Sequence, residues 1–397
     1  MLSVEEALAR ILAPITPLGI ELVALTDAQN RALGRSLVAG RPLPPWDNSA
    51  MDGFAVRANE IARGKTFPVA TTIAAGRAPL PLAPGAVARI MTGAPLPAGA
   101  DAVIMREQAD ETAEGVQFRI VPKLGDHIRR AGEDVRAEEE VLALGDPLGP
   151  GEIGLAAALG RTLIEVHRRP RVAILSTGDE LVDPDRVPGP GQIVGSNAYA
   201  LAAQCRSAGA MPTVLPIARD DRAHIAAAFE EALHADAVIS SGGVSVGDFD
   251  FVKEALASLG VKEEFWRVAM KPGKPIAFGS REGRPVFGLP GNPAASLVGF
   301  ELFVRPALLR MAGHHTIERP RAPVVLASPY RHEGERRHYL RARVSRDGTH
   351  LTAQLNPRQG SGHLSSLVGI NALVEIPEQA GPVAAGATMT ALLLEAV

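Results

Sequence analysis

Near the start of the chain, Leu8, Ile11 and Leu12 recur at helical spacing, and Ser3 with Glu6 has the form of a capping box. The helical pattern is read on to residue 39, with a second helix after Thr26, until Pro42, Pro44 and Pro45 end it. Residues 46–128 change to short runs broken by Pro and Gly, as at 79–85 and 95–99, which predicts a small β-rich module. Residues 129–168 return to charged and Ala/Leu-rich stretches.

A new pattern begins at Arg169-Pro170. Val172-Ala173-Ile174-Leu175 reads as a buried strand feeding a loop at Ser176-Thr177-Gly178. Helices are expected over 197–208, 221–234, 250–259 and 293–311, and strands over 213–217, 237–239, near 265–269 and over 285–288. Strands alternating with helices imply a parallel sheet covered on both faces. Beyond Pro320, strand patterns at 323–327, 338–345, 349–354, 372–376 and 388–394 predict a small β domain. The domain reading is therefore 1–44 with 129–168 as a helical, linking region, 45–128 as an inserted β-rich module, 169–318 as the α/β domain and 319–397 as the C-terminal β domain.

Composition narrows the chemistry. The net charge of −3 supplies no basic field for nucleic acid, and aromatic residues, at 4%, leave few rings for stacking bases. The single cysteine, Cys205, makes no internal disulfide and no thiolate metal site, and it reads as a small packed side chain. Glu5 and Glu6 stand where a signal peptide needs a basic start, and no apolar run approaches the roughly 18 residues of a membrane span. A cytoplasmic protein without membrane or nucleic-acid partners is expected.

The 40 glycines and 32 prolines gather in stiff loops beside polar residues. In an open α/β sheet, ligands bind beyond the carboxyl ends of strands. Three loops leave such ends. Ser176-Thr177-Gly178-Asp179-Glu180 combines hydroxyls, a glycine and acids, and an ordinary turn explains it equally well. Ser240-Ser241-Gly242-Gly243-Val244-Ser245-Val246-Gly247-Asp248-Phe249-Asp250 reads as a phosphate cradle, its acids acting as helix caps or as magnesium ligands. Gly288-Leu289-Pro290-Gly291-Asn292-Pro293 places Asn292 at an N-cap and Pro293 at the first helical position. Lys271-Pro272-Gly273-Lys274-Pro275 holds two ammonium groups in a rigid turn, which suits a compact dianion or a diphosphate. Asp47-Asn48-Ser49-Ala50-Met51-Asp52-Gly53 and Met91-Thr92-Gly93-Ala94-Pro95 are further polar turns. Alternation puts Arg341 and Arg343 on one strand face, and arginine forks suit tetrahedral oxyanions. No Walker or His-Glu-x-x-His motif occurs.

These segments, with Ala131-Gly132-Glu133-Asp134 and Ser176-Thr177-Gly178-Asp179-Glu180-Leu181, run in the order seen in the molybdopterin molybdenumtransferase family, the MoeA-type proteins related to the gephyrin E domain. The chain resembles that family over nearly its whole length. The resemblance implies a multidomain α/β plus β fold: a central parallel α/β (MogA-like) domain, a small β-rich module, a helical/linking N-terminal region and a C-terminal β-barrel-like domain. It implies Mg²⁺-dependent insertion of molybdate into adenylyl-molybdopterin with release of AMP, by a homodimer whose site is shared between subunits. Contact with other molybdenum cofactor enzymes is implied as well.

By motif, Asp250 would be the Mg²⁺-linked acid, with Asp248 beside it, and Glu180 would lie in the nucleotide pocket. Lys271, Lys274, Arg341 and Ser361 would hold molybdate or the adjoining phosphate. Asp47, Asp52 and Thr92 would line the site from the partner's module. Ser176, Thr177, Ser240, Ser241, Gly242, Gly243, Ser245, Pro290, Asn292 and Pro293 would bind substrate. Two departures stand out: Ala295 occupies a position where many relatives carry Ser, with Ser296 following, and Arg358 precedes Ser361 where relatives often show Gly-His-Gln. A molybdopterin adenylyltransferase, a tungstate-inserting homologue and a non-catalytic scaffold remain alternatives.

Overall fold

A computed structural model describes residues 1–243, 249–265 and 267–395. The first helix, Val4–Leu12, carries the expected capping box: Glu6 N–H donates to Ser3 Oγ at 3.1 Å and Ser3 N–H to Glu6 Oε2 at 2.8 Å. The second helix does not form. Ile20–Ala24 is a strand paired antiparallel with Leu163–His167, and only a short 3-10 turn, Leu25–Asp27, follows. Pro17 and Gly19 break the helix, and the β-branched Ile20 and Val23 favour the extended chain. The rest of this region pairs short strands, Leu37–Val38 with Glu140–Leu142, beside one helix, Pro150–Ala158. Leu33, Leu148, Ala156 and Val166 share its core.

In the module, a four-stranded sheet runs in the order Val69–Ile73, Val87–Ile90, Gly53–Val56, Ala102–Met105. Phe54 and Phe67 pack around Phe118 beneath it, with ring centroids 5.6 and 5.9 Å from Phe118. A Cβ on Gly53 would collide with the Ile104 carbonyl, so only glycine lets these two strands approach.

The central sheet has six strands in the order Met211–Val214, Arg171–Ser176, Ala237–Ser241, Arg284–Leu289, Ala277–Arg281, Lys262–Phe265. The first four run parallel, Ala277–Arg281 runs against them, and Lys262–Phe265, antiparallel to that strand, runs in the direction of the first four, so the sheet is mixed toward one edge rather than parallel throughout. The unexpected strand, Ala277–Arg281, returns through Glu282-Gly283, whose φ values of 52° and 77° make a primed hairpin turn. Alternation along Arg171–Ser176 divides two cores. Ile174 packs with Leu201, Ile239 and Phe287 on one face, and Leu175 with Phe229, Val238 and Val252 on the other. The long C-terminal helix of this domain is Pro293–Gly299 and Arg305–Met311 joined through a π-turn, Phe300–Val304. Pro306, which lacks an N–H, sits just past that wider turn.

Strands Arg321–Leu326, Arg337–Asp347, His350–Leu355, Ala372–Ile376 and Thr388–Leu393 match the five expected runs and close into a barrel. Val324, Leu340, Ala342, Val344 and Val374 fill it. No helix among the described residues is long and apolar enough to cross a membrane.

Candidate functional site

Parallel strands Arg171–Ser176, Ala237–Ser241 and Arg284–Leu289 send their loops to the same end of the sheet, where a cavity of about 520 Å³ opens. Ser176, Thr177, Glu180, Ser241, Gly242, Asn292 and Pro293 line it, together with Gly362 from the barrel domain. Leu181, Ile193 and Val194 add an aliphatic lip. Ser240 does not line this cavity; its buried hydroxyl donates to Phe287 O at 3.4 Å inside the sheet. Pro290 is buried just before the Gly291 turn. Gly242 has φ +100°, and a Cβ there would stand 2.7 Å from Thr177 O, so the two loops meet only because the residue is glycine. Gly243 lies beside the Thr177 hydroxyl. Ser245 and Asp248 lie outside the described residues. Asp250 is in the first turn of the helix Phe249–Ser258, and its side chain lies outside the description.

The cradle of backbone amides expected from the sequence is partly occupied. Thr177 N–H donates to Ser241 O at 3.4 Å and Gly178 N–H to Ala218 O at 3.2 Å. Gly242 N–H donates to Leu289 O at 3.2 Å, and Ala294 N–H to Ser361 O at 2.9 Å. These donors join the loops to each other and do not face a ligand. The same bond from Ala294 docks the Ser361 segment on the start of the helix Pro293–Gly299.

Sequence reasoning missed Asn197, the first residue of the helix Asn197–Ser207. Its Nδ2 donates to Ser241 Oγ at 2.9 Å and to Gly291 O at 2.8 Å, which ties two of the loops together from the cavity wall. An Asn at a helix start reads as a cap, so no local signal reveals this role.

Lys271 and Lys274 are both exposed and do not line the cavity. Their turn follows the short strand Met270–Lys271, which pairs parallel with Arg337 and His338 of the barrel. Gly273, in this turn, packs against the first turn of the helix Pro293–Gly299: a Cβ on Gly273 would stand 3.6 Å from Ala295 O. Beside Lys271, the buried His338 ring shares Nδ1 with Tyr330 OH at 2.9 Å and lies 4.3 Å from the His332 ring. Burial first, then the neighbouring His332 and Lys271, pushes the His338 imidazole down to about 4, so it is neutral near pH 7.

Arg341 is on the outer face of the barrel strand, as alternation requires, but it is not open to an anion. Its side chain is fully buried under residues 356–366. Nε donates to Ser366 Oγ at 3.2 Å, and Nη2 to Arg358 O and Gly360 O, both at 3.0 Å. Burial pushes its guanidinium down to about 10. The group that was read as an oxyanion fork instead orders the loop that carries Ser361. Arg343, two residues on, is exposed. Arg358 donates to Ser365 Oγ at 3.2 Å, and Ala295 and Ser296 are both buried.

Asp47, Asp52 and Thr92 lie in or beside the β-rich module, and none of them lines the cavity. Asp52 Oδ1 accepts Thr92 N–H at 2.7 Å and Thr92 Oγ1 at 2.8 Å, and these bonds lower its carboxyl below the usual range. Asp47 accepts Ala131 N–H at 2.8 Å and Arg130 Nη1 at 2.6 Å, in that order the main causes of its lowered carboxyl. Trp46, Met51 and Met91, beside these groups in sequence, are 54%, 42% and 37% exposed.

Comparison with known proteins accounts for this arrangement. Residues 2–160 match the model of the MoeA N-terminal region (domain I and II), residues 173–310 that of a probable molybdopterin binding domain, and residues 323–394 that of the MoeA C-terminal region (domain IV). The chain is 42% identical over 377 residues to molybdopterin molybdenumtransferase 2 of Mycobacterium tuberculosis, covering 92% of each. It is 36% identical to the Haemophilus influenzae molybdopterin molybdenumtransferase, covering 98% of each. Its fold is similar to the crystal structure of the molybdopterin biosynthesis moeA protein from Pyrococcus horikoshii, with a TM-score of 0.85, 29% identity, and coverage of 99% of this chain and 100% of that one. The chain belongs to the MoeA-type molybdopterin molybdenumtransferase family, a family of transferases of molybdenum cofactor biosynthesis.

Proposed function

We propose that the protein inserts molybdate into adenylyl-molybdopterin, assisted by Mg²⁺ and with release of AMP. The observation that carries this reading is the convergence of Ser176-Thr177, Ser241-Gly242 and Asn292-Pro293 on one cavity at the carboxyl ends of parallel strands. Among the described residues, the cavity wall offers hydroxyls and one carboxylate, Glu180, and contains no thiol or histidine nucleophile. Catalysis by charge and position, without a covalent protein intermediate, fits that inventory. In this reading Lys271 and Lys274, across the first turn of the helix from the cavity, stabilise the oxyanion and phosphate charge. An oxygen of molybdate forms a bond to the AMP phosphorus as the bond from phosphorus to the bridging oxygen of the molybdopterin phosphate breaks. The bond from molybdenum to the attacking oxygen then breaks as the two dithiolate sulfurs of molybdopterin bind molybdenum, so AMP leaves with that oxygen.

Among the described residues no group of three or more His, Cys, Asp or Glu could hold a metal ion. Magnesium needs only one or two carboxylates when phosphate oxygens complete its shell, and Glu180 offers one, with Asp250 and Asp248 as the further expected ligands. When bound, the ion would neutralise phosphate charge. The homodimer belongs to the same proposal. Asp47, Asp52 and Thr92 lie off the cavity of their own chain and beside exposed Trp46, Met51 and Met91, which suits a surface applied to a partner subunit in the cytoplasm.

The test is to supply the purified protein with adenylyl-molybdopterin, Mg²⁺ and oxygen-18 molybdate. Molybdenum cofactor should form, and AMP should carry the label. No cofactor would overturn the function; AMP labelled from bulk water instead would overturn the attack on phosphorus.

A further inference from the structure

Two oxygens on the cavity wall are buried and have no hydrogen-bond partner among the described residues: Thr177 Oγ1 and Asn197 Oδ1. Leaving buried polar atoms unpaired is costly, and native structures keep few of them without a use. The orientation of Asn197 follows from chemistry. Gly291 O can only accept, so the amide nitrogen must face it, and Oδ1 is turned away. Ser196, at the N-cap, makes no side-chain capping bond, so the start of this helix is given over to the loops. Thr177 is 3% exposed, and its hydroxyl lies against Gly242 and Gly243, where a Cβ would come within 3.3 and 2.9 Å of it. Glycine at both positions keeps a Cβ from pressing on that oxygen.

We infer that Thr177 and Asn197 form a neutral subsite that takes a hydrogen-bond donor of the substrate, an N–H or O–H group. Asn197 is in addition a positioning residue that holds the Ser241 and Gly291 loops at a fixed separation. The identity of the ligand rests on the proposed function. An oxyanion brings only acceptors and would set lone pair against lone pair at Asn197 Oδ1. The anionic end of the substrate therefore lies elsewhere, and a ring or sugar bearing donors lies here, against the aliphatic lip of Leu181, Ile193 and Val194. Such donors have three sources in adenylyl-molybdopterin: N–H groups of the pterin, hydroxyls of the ribose and the amino group of the adenine.

The test titrates the full-length protein calorimetrically with molybdopterin, AMP and 2′,3′-dideoxy-AMP. Wild-type protein that binds neither molybdopterin nor AMP overturns the proposed function itself. Given wild-type binding, Thr177→Val is expected to weaken it about tenfold, whereas Thr177→Ser, which keeps the hydroxyl, retains it. The Tm of Thr177→Val should hold or rise, because the variant loses a hydroxyl that is unpaired in the free protein. A change in Tm with unchanged affinity is the signature of a merely structural Thr177 and overturns the inference. Weakening confined to molybdopterin assigns the donor to the pterin. Weakening for AMP that is absent for dideoxy-AMP assigns it to the ribose, equal weakening for both nucleotides assigns it to the adenine amino group, and each of these results supports the subsite. Asn197→Asp keeps an acceptor but cannot donate to Gly291 O, so it should weaken both ligands; wild-type affinity in that variant overturns the clamp.

Discussion

Arg341 heads the fully buried side chains, and replacing it with lysine separates two roles for it. The guanidinium makes three side-chain bonds, to Ser366 Oγ, Arg358 O and Gly360 O, spread around a planar fork. A lysine ammonium keeps the charge but is a single point, and it cannot reach all three acceptors at once. Losing one or two charge-assisted bonds costs about 2–4 kcal/mol, part of it recovered if the freed carbonyls turn to water. That free energy is local, because it holds residues 356–366 against the barrel and, through Ser361 O, against the amide of Ala294. The readout is hydrogen exchange at Ala294. Opening of the loop should become about 30- to 1000-fold more frequent in Arg341→Lys, while amides of the barrel strand Arg337–Asp347 keep most of their protection. An arginine that contacts the anion directly predicts the reverse: the lysine preserves the charge, Ala294 exchange is unchanged, and only the KM for molybdate moves. Unchanged protection at Ala294 would refute the positioning role. Equal loss at every amide would show global destabilisation and refute the local magnitude.

Asp236 accepts both Nη atoms of Arg168, at 2.7 and 3.0 Å, and Arg171 N–H at 2.8 Å. Burial would raise its carboxyl, but these partners outweigh burial and hold it at about 2, below the ordinary 3.8. Its contribution is therefore complete above about pH 5 and lost as pH falls toward 2, and Asp236→Asn should flatten that part of the Tm-against-pH curve. Ser296 is fully buried and its hydroxyl has no partner among the described residues, so Ser296→Ala should hold or raise Tm; a drop of several degrees would reveal a partner outside them. Burial pushes the Cys205 thiol up to about 12, so a thiol reagent should label it only on unfolding, and Cys205→Ala should keep full activity. If the exposed Met51 and Met91 are covered in a dimer, Met91→Glu should shift sedimentation toward monomer, and an unshifted dimer would place the interface elsewhere.

What the sequence reveals depends on how local each cause is. The five barrel strands were legible because one face of each is buried, and alternation records that residue by residue. The cavity loops were legible because a short apolar run ending in Ser, Thr or Gly marks a strand end, and strand ends are where such sheets bind ligands. The strand Ile20–Ala24 was read as helix because its partner, Leu163–His167, lies far along the chain and leaves no trace in its neighbours. The amide cradle was overread for a similar reason. Glycine-rich loops show that N–H groups can approach an anion, but whether another loop has already claimed them is settled only when the strands are assembled. Arg341 is the sharpest case. Alternation correctly sets it on the outer face of its strand, where an arginine is ordinarily exposed and free to bind an anion. What removes that freedom is the 356–366 segment laid over it, and what holds that segment down is Arg341 itself. The cover and the covered residue specify each other, so neither is readable from its own stretch of sequence, and the chemistry of the residue follows from that mutual fit.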